Sequence, residues 1–147
     1  MGVSRSIRIN ILSKEKTIVD CLDLLFEQYW TPFDKNNKIV VSDEENTENI
    51  ESIEGLYIFV IEKENNKLTF NINLWDIAHK ETVLLLLQPK EKFENYNSFK
   101  LTLLPGAAKR LNGSNRQTDF SYYLERTIPI LEKNNFIFEE ISCIDLG

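Results

Sequence analysis

Polar and apolar residues alternate from Ser6 to Leu12, with Ile7, Ile9 and Ile11 on one side and Arg8 and Asn10 on the other. That pattern predicts a half-buried strand. Ser13 then offers an N-cap, and Ile18, Leu22, Leu25, Phe26 and Tyr29 recur at helical spacing. Asp20, Asp23 and Glu27 fall on a different face of this helix, and Pro32 ends it, because a proline pushes the residue before it out of the helical region. Lys38 to Val41 forms a short strand. Leu56 to Glu62 is apolar on both faces, which predicts a central strand of a sheet. After the turn residues Lys63 to Asn66, Leu68, Phe70, Ile72 and Leu74 alternate from Lys67 to Trp75, so the two segments predict a β-hairpin. Glu81 to Gln88, ended by Pro89, and Phe99 to Leu104 add two more strands.

Ala107 to Gln117 is a polar loop. Thr118 or Asp119 caps a second amphipathic helix with the stripe Phe120, Leu124, Ile128 and Leu131, which Pro129 kinks or shortens. Phe136 to Cys143 closes the series as a strand. The predicted order is β-α-β-β-β-β-β-α-β, an α+β fold with a mainly antiparallel sheet and two helices on one face. At 147 residues, with 42% hydrophobic and 11% aromatic side chains, the chain is expected to fold as one domain over residues 1–147 without disulfide or metal staples.

The charge pattern adds an asymmetry. The formal net charge of −6 lies entirely in residues 1–64, which hold 13 acidic and 7 basic side chains; residues 65–147 hold 10 of each. Asp43, Glu44, Glu45, Glu48, Glu51 and Glu54 fall within twelve residues that contain no lysine or arginine. Such a run repels nucleic acid and anionic membranes and attracts a cationic surface. In a helix, Glu48, Glu51 and Glu54 with Glu44 and Glu45 would share a face, with Ile50 and Ile53 pinning the other side; the alternative is a solvated acidic loop. Trp30 and Trp75 end their elements, where partial exposure would make them anchors for a partner. The opposite bias occurs at Lys109, Arg110 and Arg116, which with Lys100 reach the second helix with no acid among them and form a candidate anion site. Asp119 stands where that anion would sit.

Signatures of chemistry are scarce. No phosphate-binding loop, dinucleotide fingerprint, metalloprotease pair or nucleophile elbow occurs, so no catalytic residue, metal site or cofactor is expected. His79, the one histidine, lies in a turn with Asp76 and Glu81 nearby, and reads as an ordinary loop residue. Glu139 and Glu140 fall on opposite faces of a strand and cannot form a dyad. Cys21 and Cys143 match no disulfide or zinc spacing and read as structural. Met1, Gly2 and Ser6 fit the short myristoylation pattern, against a strand that starts at Ser6. No apolar run approaches the length of a signal peptide core or a membrane span, so a cytoplasmic location is expected.

In size, acidity, charge layout and lack of catalytic signature the chain resembles the immunity proteins that bacteria carry against their own toxins. The resemblance implies an acidic face that covers the cationic groove of a nuclease-type toxin. The partner would be a basic protein, steered by the six acids from Asp43 to Glu54, with Trp30 or Trp75 as anchor. Secretion chaperones share the size and acidity, but usually begin with a helix and dimerise. A small-ligand domain or enzyme would draw instead on His79 or Arg110 and a pocket at Gly106 to Gln117. A structural subunit of a larger assembly would need none of these features.

Overall fold

The computed structural model describes residues 5–106, 111–112 and 117–145. Its elements are β1 (Arg5–Ser13), α1 (Ile18–Leu25), β2 (Trp30–Thr31), β3 (Ile39–Ser42), β4 (Thr47–Ile50), α2 (Ile53–Asn65) and β5 (Phe70–Asp76). They continue with β6 (Thr82–Phe93), β7 (Tyr96–Pro105), β8 (Leu111–Asn112), β9 (Gln117–Thr118), α3 (Phe120–Glu125), α4 (Ile128–Lys133) and β10 (Ile137–Asp145). Eight strands form one sheet in the order β10-β1-β7-β6-β5-β3-β4, with β2 also paired to β5, and every pairing is antiparallel. The fold is therefore α+β with a mainly antiparallel sheet, but the described residues hold four helices in the order β-α-β-β-β-α-β-β-β-β-β-α-α-β, not two in the order β-α-β-β-β-β-β-α-β.

The alternating residues set the register. Ile141, Ile9, Leu101, Leu87 and Phe70 stand side by side across five strands. The sheet buries Ile7, Ile9 and Ile11 of β1, Val83, Leu85 and Leu87 of β6, and Phe99, Leu101 and Leu103 of β7. The helices close over them with Ile18, Cys21, Leu22, Leu56, Val60, Tyr123 and Leu131 in the same apolar cluster. A two-residue turn at Glu94 and Asn95, both at positive φ, joins β6 to β7 as tight hairpins require.

Four expectations need correction. First, Leu56 to Glu62 is not a strand but the middle of α2. Ser52 caps it by accepting from the Gly55 N–H at 3.0 Å, and Glu54 sits in its first turn, favoured at the positive end of the helix. Second, Ser13 does not cap α1. It stays in β1, and Thr17 takes the role in a reciprocal capping box with Asp20. Third, α1 ends at Leu25, well before Pro32, because Trp30 and Thr31 leave the helix to pair with Asp76 and Trp75 of β5. Fourth, Pro89 does not end β6. The partner β5 reaches only to Leu87, so Pro89 lies where β6 has an open side and its missing N–H is tolerated.

Pro129 acts as expected: the C-terminal helix is split into α3 and α4, with the proline in the first turn of α4. Among the described residues no helix is long and apolar enough to cross a membrane. Cys21 is fully buried, and burial pushes its thiol far above the usual range, whereas Cys143 lies exposed on β10.

Candidate functional site

The acidic segment folds as a hairpin leading into a helix, so its side chains do not share one helical face. Thr47 to Ile50 pairs with Ile39 to Ser42, which forces Glu48 into extended backbone. The four-residue loop between them is closed by the Asp43 carboxylate, which accepts from the N–H groups of Glu45 and Asn46, both at 2.8 Å. This is the local side-chain turn that aspartate forms readily.

Helix α2 is held between this hairpin and α1. On one side Gly55 meets the hairpin: a Cβ there would lie 2.9 Å from Ile50 Cγ2. At its far end Lys63 Nζ donates to Asp43 Oδ2 at 2.7 Å and lies 5.2 Å from the centre of the Phe59 ring. On the other side the Tyr57 hydroxyl donates to Asp23 of α1 at 2.9 Å, and the Glu64 carboxylate accepts from the Ile18 N–H. Between these two fixed sides, Glu54, Ile58 and Ile61 face outward at helical spacing. Ile58 is 68% and Ile61 48% exposed.

The result is an apolar strip on α2 bordered by carboxylates. The Asp43–Lys63 contact puts the loop of Glu44 and Glu45 on one side of α2, the Tyr57–Asp23 bond puts Asp23 and Glu27 on the other, and Glu54 and Glu62 are on the helix itself. Lone exposed isoleucines are ordinary, but two adjacent ones with acids on both sides form a face suited to a basic, partly apolar surface.

No family model, curated protein or solved structure matches this chain.

The six acids from Asp43 to Glu54 therefore divide by environment. Asp43 is spent on the loop and on Lys63, and Glu51 pairs with Lys38. Both cations come from outside the lysine-free run, so folding neutralises what the local sequence leaves unpaired. Glu44, Glu45, Glu48 and Glu54 are exposed and make no ion pair among the described residues.

Trp30 is not a surface anchor. It is 1% exposed and lies parallel to the Tyr123 ring, 6.4 Å between centroids, because pairing of β2 with β5 draws it under the helices. Trp75 is half-buried at the end of β5, its ring 6.5 Å from that of His79. His79 has a structural setting: its Nε2 lies 3.0 Å from the Phe33 carbonyl oxygen and ties the β5–β6 turn to the loop after β2. Asp76 does not orient it, since Asp76 Oδ1 accepts the N–H groups of Lys80 and Glu81, both at 2.7 Å. The candidate anion site at Lys109, Arg110 and Arg116 lies outside the described residues. Asp119 caps α3 by accepting from the Tyr122 N–H. Among the described residues no group of three or more His, Cys, Asp or Glu side chains is placed to hold a metal ion.

The Asp43–Lys63 pair gives the hairpin a defined pH window. Hydrogen bonds from Lys63, Asn46 and Glu45 hold the Asp43 carboxyl at about 2, and the same contact with Asp43 raises the Lys63 ammonium. An acid group lowered on folding stabilises above its unfolded value, near 4, and loses that contribution as pH falls toward 2. A base raised on folding contributes below its unfolded value, near 10, and loses that contribution as pH rises through the raised value. The amide signals of Glu45 and Asn46 are expected to titrate at about 2 in the native protein and at a higher pH in Lys63→Met, still below the ordinary aspartate value because both N–H bonds remain. The same titration in the native protein and in Lys63→Met would show that the pair does not form in solution.

Proposed function

We propose that this protein is an acidic binding module that neutralises a basic protein by covering its cationic surface, in the manner of an immunity protein acting on a nuclease-type toxin. One observation carries the reading: α2 presents Ile58 and Ile61 outward with Glu54 and Glu62, between the acidic hairpin loop and the Asp23 and Glu27 end of α1, and Glu44, Glu45, Glu48 and Glu54 make no ion pair among the described residues. Burying isoleucine against a partner supplies affinity, and the flanking charge supplies approach rate and discrimination against acidic surfaces. A solvated loop that served only solubility would not need an apolar strip at its centre.

The test is capture followed by protection. The immobilised protein is exposed to lysate of its own organism and eluted with rising salt. A basic protein released only at high salt, whose nuclease or toxic activity is blocked by adding this protein in equal amount, is the expected result. A retained protein that is acidic, or one whose activity is unaffected, contradicts the reading, and so does an empty column.

A further inference from the structure

Where α1 ends, a cavity of about 390 Å³ opens against α2, walled by Phe26, Trp30, Phe33 and Tyr57 and edged by Asp23 and Glu27. Its size lies within the ~300–1,000 Å³ of small-ligand clefts. Three observations bear on what it accepts. The first is helix polarity: carbonyl groups leave the C-terminal end of a helix negative, and cations normally sit there. The last turn of α1 carries no basic residue, and Asp23 and Glu27 add two carboxylates to that negative end. This placement costs stability, as local choices made for a binding site often do.

The second is the absence of an internal cation. No lysine or arginine is among the described residues lining the cavity. Arg126, which does not line the cavity, is held between two rings, its guanidinium 3.7 Å from the centre of the Tyr122 ring and 5.2 Å from that of Tyr29, with Nη1 donating to the Tyr122 carbonyl at 2.9 Å. The third is the aromatic wall. Ring faces attract cations and also cover an alkyl shaft. Tyr57 keeps its phenolic proton, because burial and the Asp23 carboxylate push it above the usual range, and it holds one Asp23 oxygen in place.

We propose that this cavity receives the ammonium or guanidinium head of a lysine or arginine side chain presented by the protein partner. The proposal rests on the reading above and adds to it the point of entry. Tyr57 is on α2, one residue from Ile58 and one turn from Ile61, so a partner lying on the apolar strip reaches the cavity with a single long side chain. The aromatic walls enclose the shaft, and Asp23 and Glu27 take the charge.

Two probes separate charge from shape: N-acetyl-L-arginine methylamide and its neutral counterpart N-acetyl-L-norleucine methylamide, titrated into the isotope-labelled protein. The buried Trp30 indole N–H, which has no hydrogen-bond partner among the described residues, is the reporter. The arginine probe is expected to shift the Trp30 indole and the Phe26 and Tyr57 amides, and the norleucine probe to bind about tenfold more weakly. Asp23→Asn with Glu27→Gln should weaken the arginine probe by about the same factor while the unfolding temperature holds or rises. Equal response to both probes, an unaffected double variant, or shifts confined to another surface would overturn the proposal. A silent cavity in a protein that still captures and blocks a basic partner removes this site alone. Probe binding without any captured partner overturns a protein as the source of the cation.

Discussion

Reversing Glu44, Glu45, Glu48 and Glu54 together to lysine is expected to slow association with the basic partner by about 10²–10³-fold at low salt. The four substitutions take the formal net charge from −6 to +2 and reverse the charge of the hairpin and of the first turn of α2. None of the four carboxylates makes an ion pair among the described residues, and only Glu54 supports the helix end, so the fold should survive with a small loss of stability. Asp43 and Glu51 are left alone because each holds a lysine in place. The salt dependence of the association rate is the informative readout: native protein should slow as ionic strength rises, and the variant should not. An unchanged rate would mean that these acids serve solubility alone. Ile58→Ala with Ile61→Ala makes the complementary comparison, since it should raise the dissociation rate and leave the salt dependence intact.

The second large effect concerns stability. Trp30→Ala is expected to cost about 3–5 kcal/mol, the range for deleting a fully buried large aromatic side chain. Trp30 lies at the junction of β2, β5 and the helices, and its loss would leave Tyr123 without its stacked neighbour. Trp30→Phe should cost clearly less, because it refills most of the volume and removes an indole N–H that has no partner among the described residues. Urea denaturation of the two variants decides the matter. A loss below about 1 kcal/mol for Trp30→Ala would place the side chain at the surface rather than in the core.

The sheet was largely legible in the residue pattern, and the reason is periodicity. Strands β1, β5, β6, β7 and β10 carry period-two alternation or unbroken apolar runs, and they appear close to where those patterns lie. Helix α2 was misread because Leu56-Tyr57-Ile58-Phe59-Val60-Ile61 is rich in β-branched and aromatic residues and apolar all round. The isoleucines that define the candidate face also erase the helical stripe. The cap at Ser52 and the acid at Glu54 were the signals available. Strand β4 was invisible for the opposite reason: Thr47-Glu48-Asn49-Ile50 lies at the sheet edge and has almost nothing to bury. Part of the candidate site followed from composition, since the acidic run was evident. Its division into paired and unpaired members was not, because Lys38 and Lys63 arrive from outside the run. Trp30 and Phe33 stand close together in the sequence, yet their meeting with Tyr57 at one cavity depends on how α1 and α2 pack.

The position of β1 has a consequence for how the protein is made. Its two neighbours in the sheet are β7 and β10, so Ile7 pairs with Leu103 on one side and Cys143 on the other. During synthesis the first strand emerges with neither neighbour yet translated. At roughly 5–20 residues per second it stays unpaired for several seconds, while β5 and β6 can already zip together locally. Such distant pairings slow folding, because the loop entropy is lost before the contacts form. Ile7, Ile9 and Ile11 are therefore the residues a ribosome-associated chaperone would need to shield until the other half of the sheet arrives.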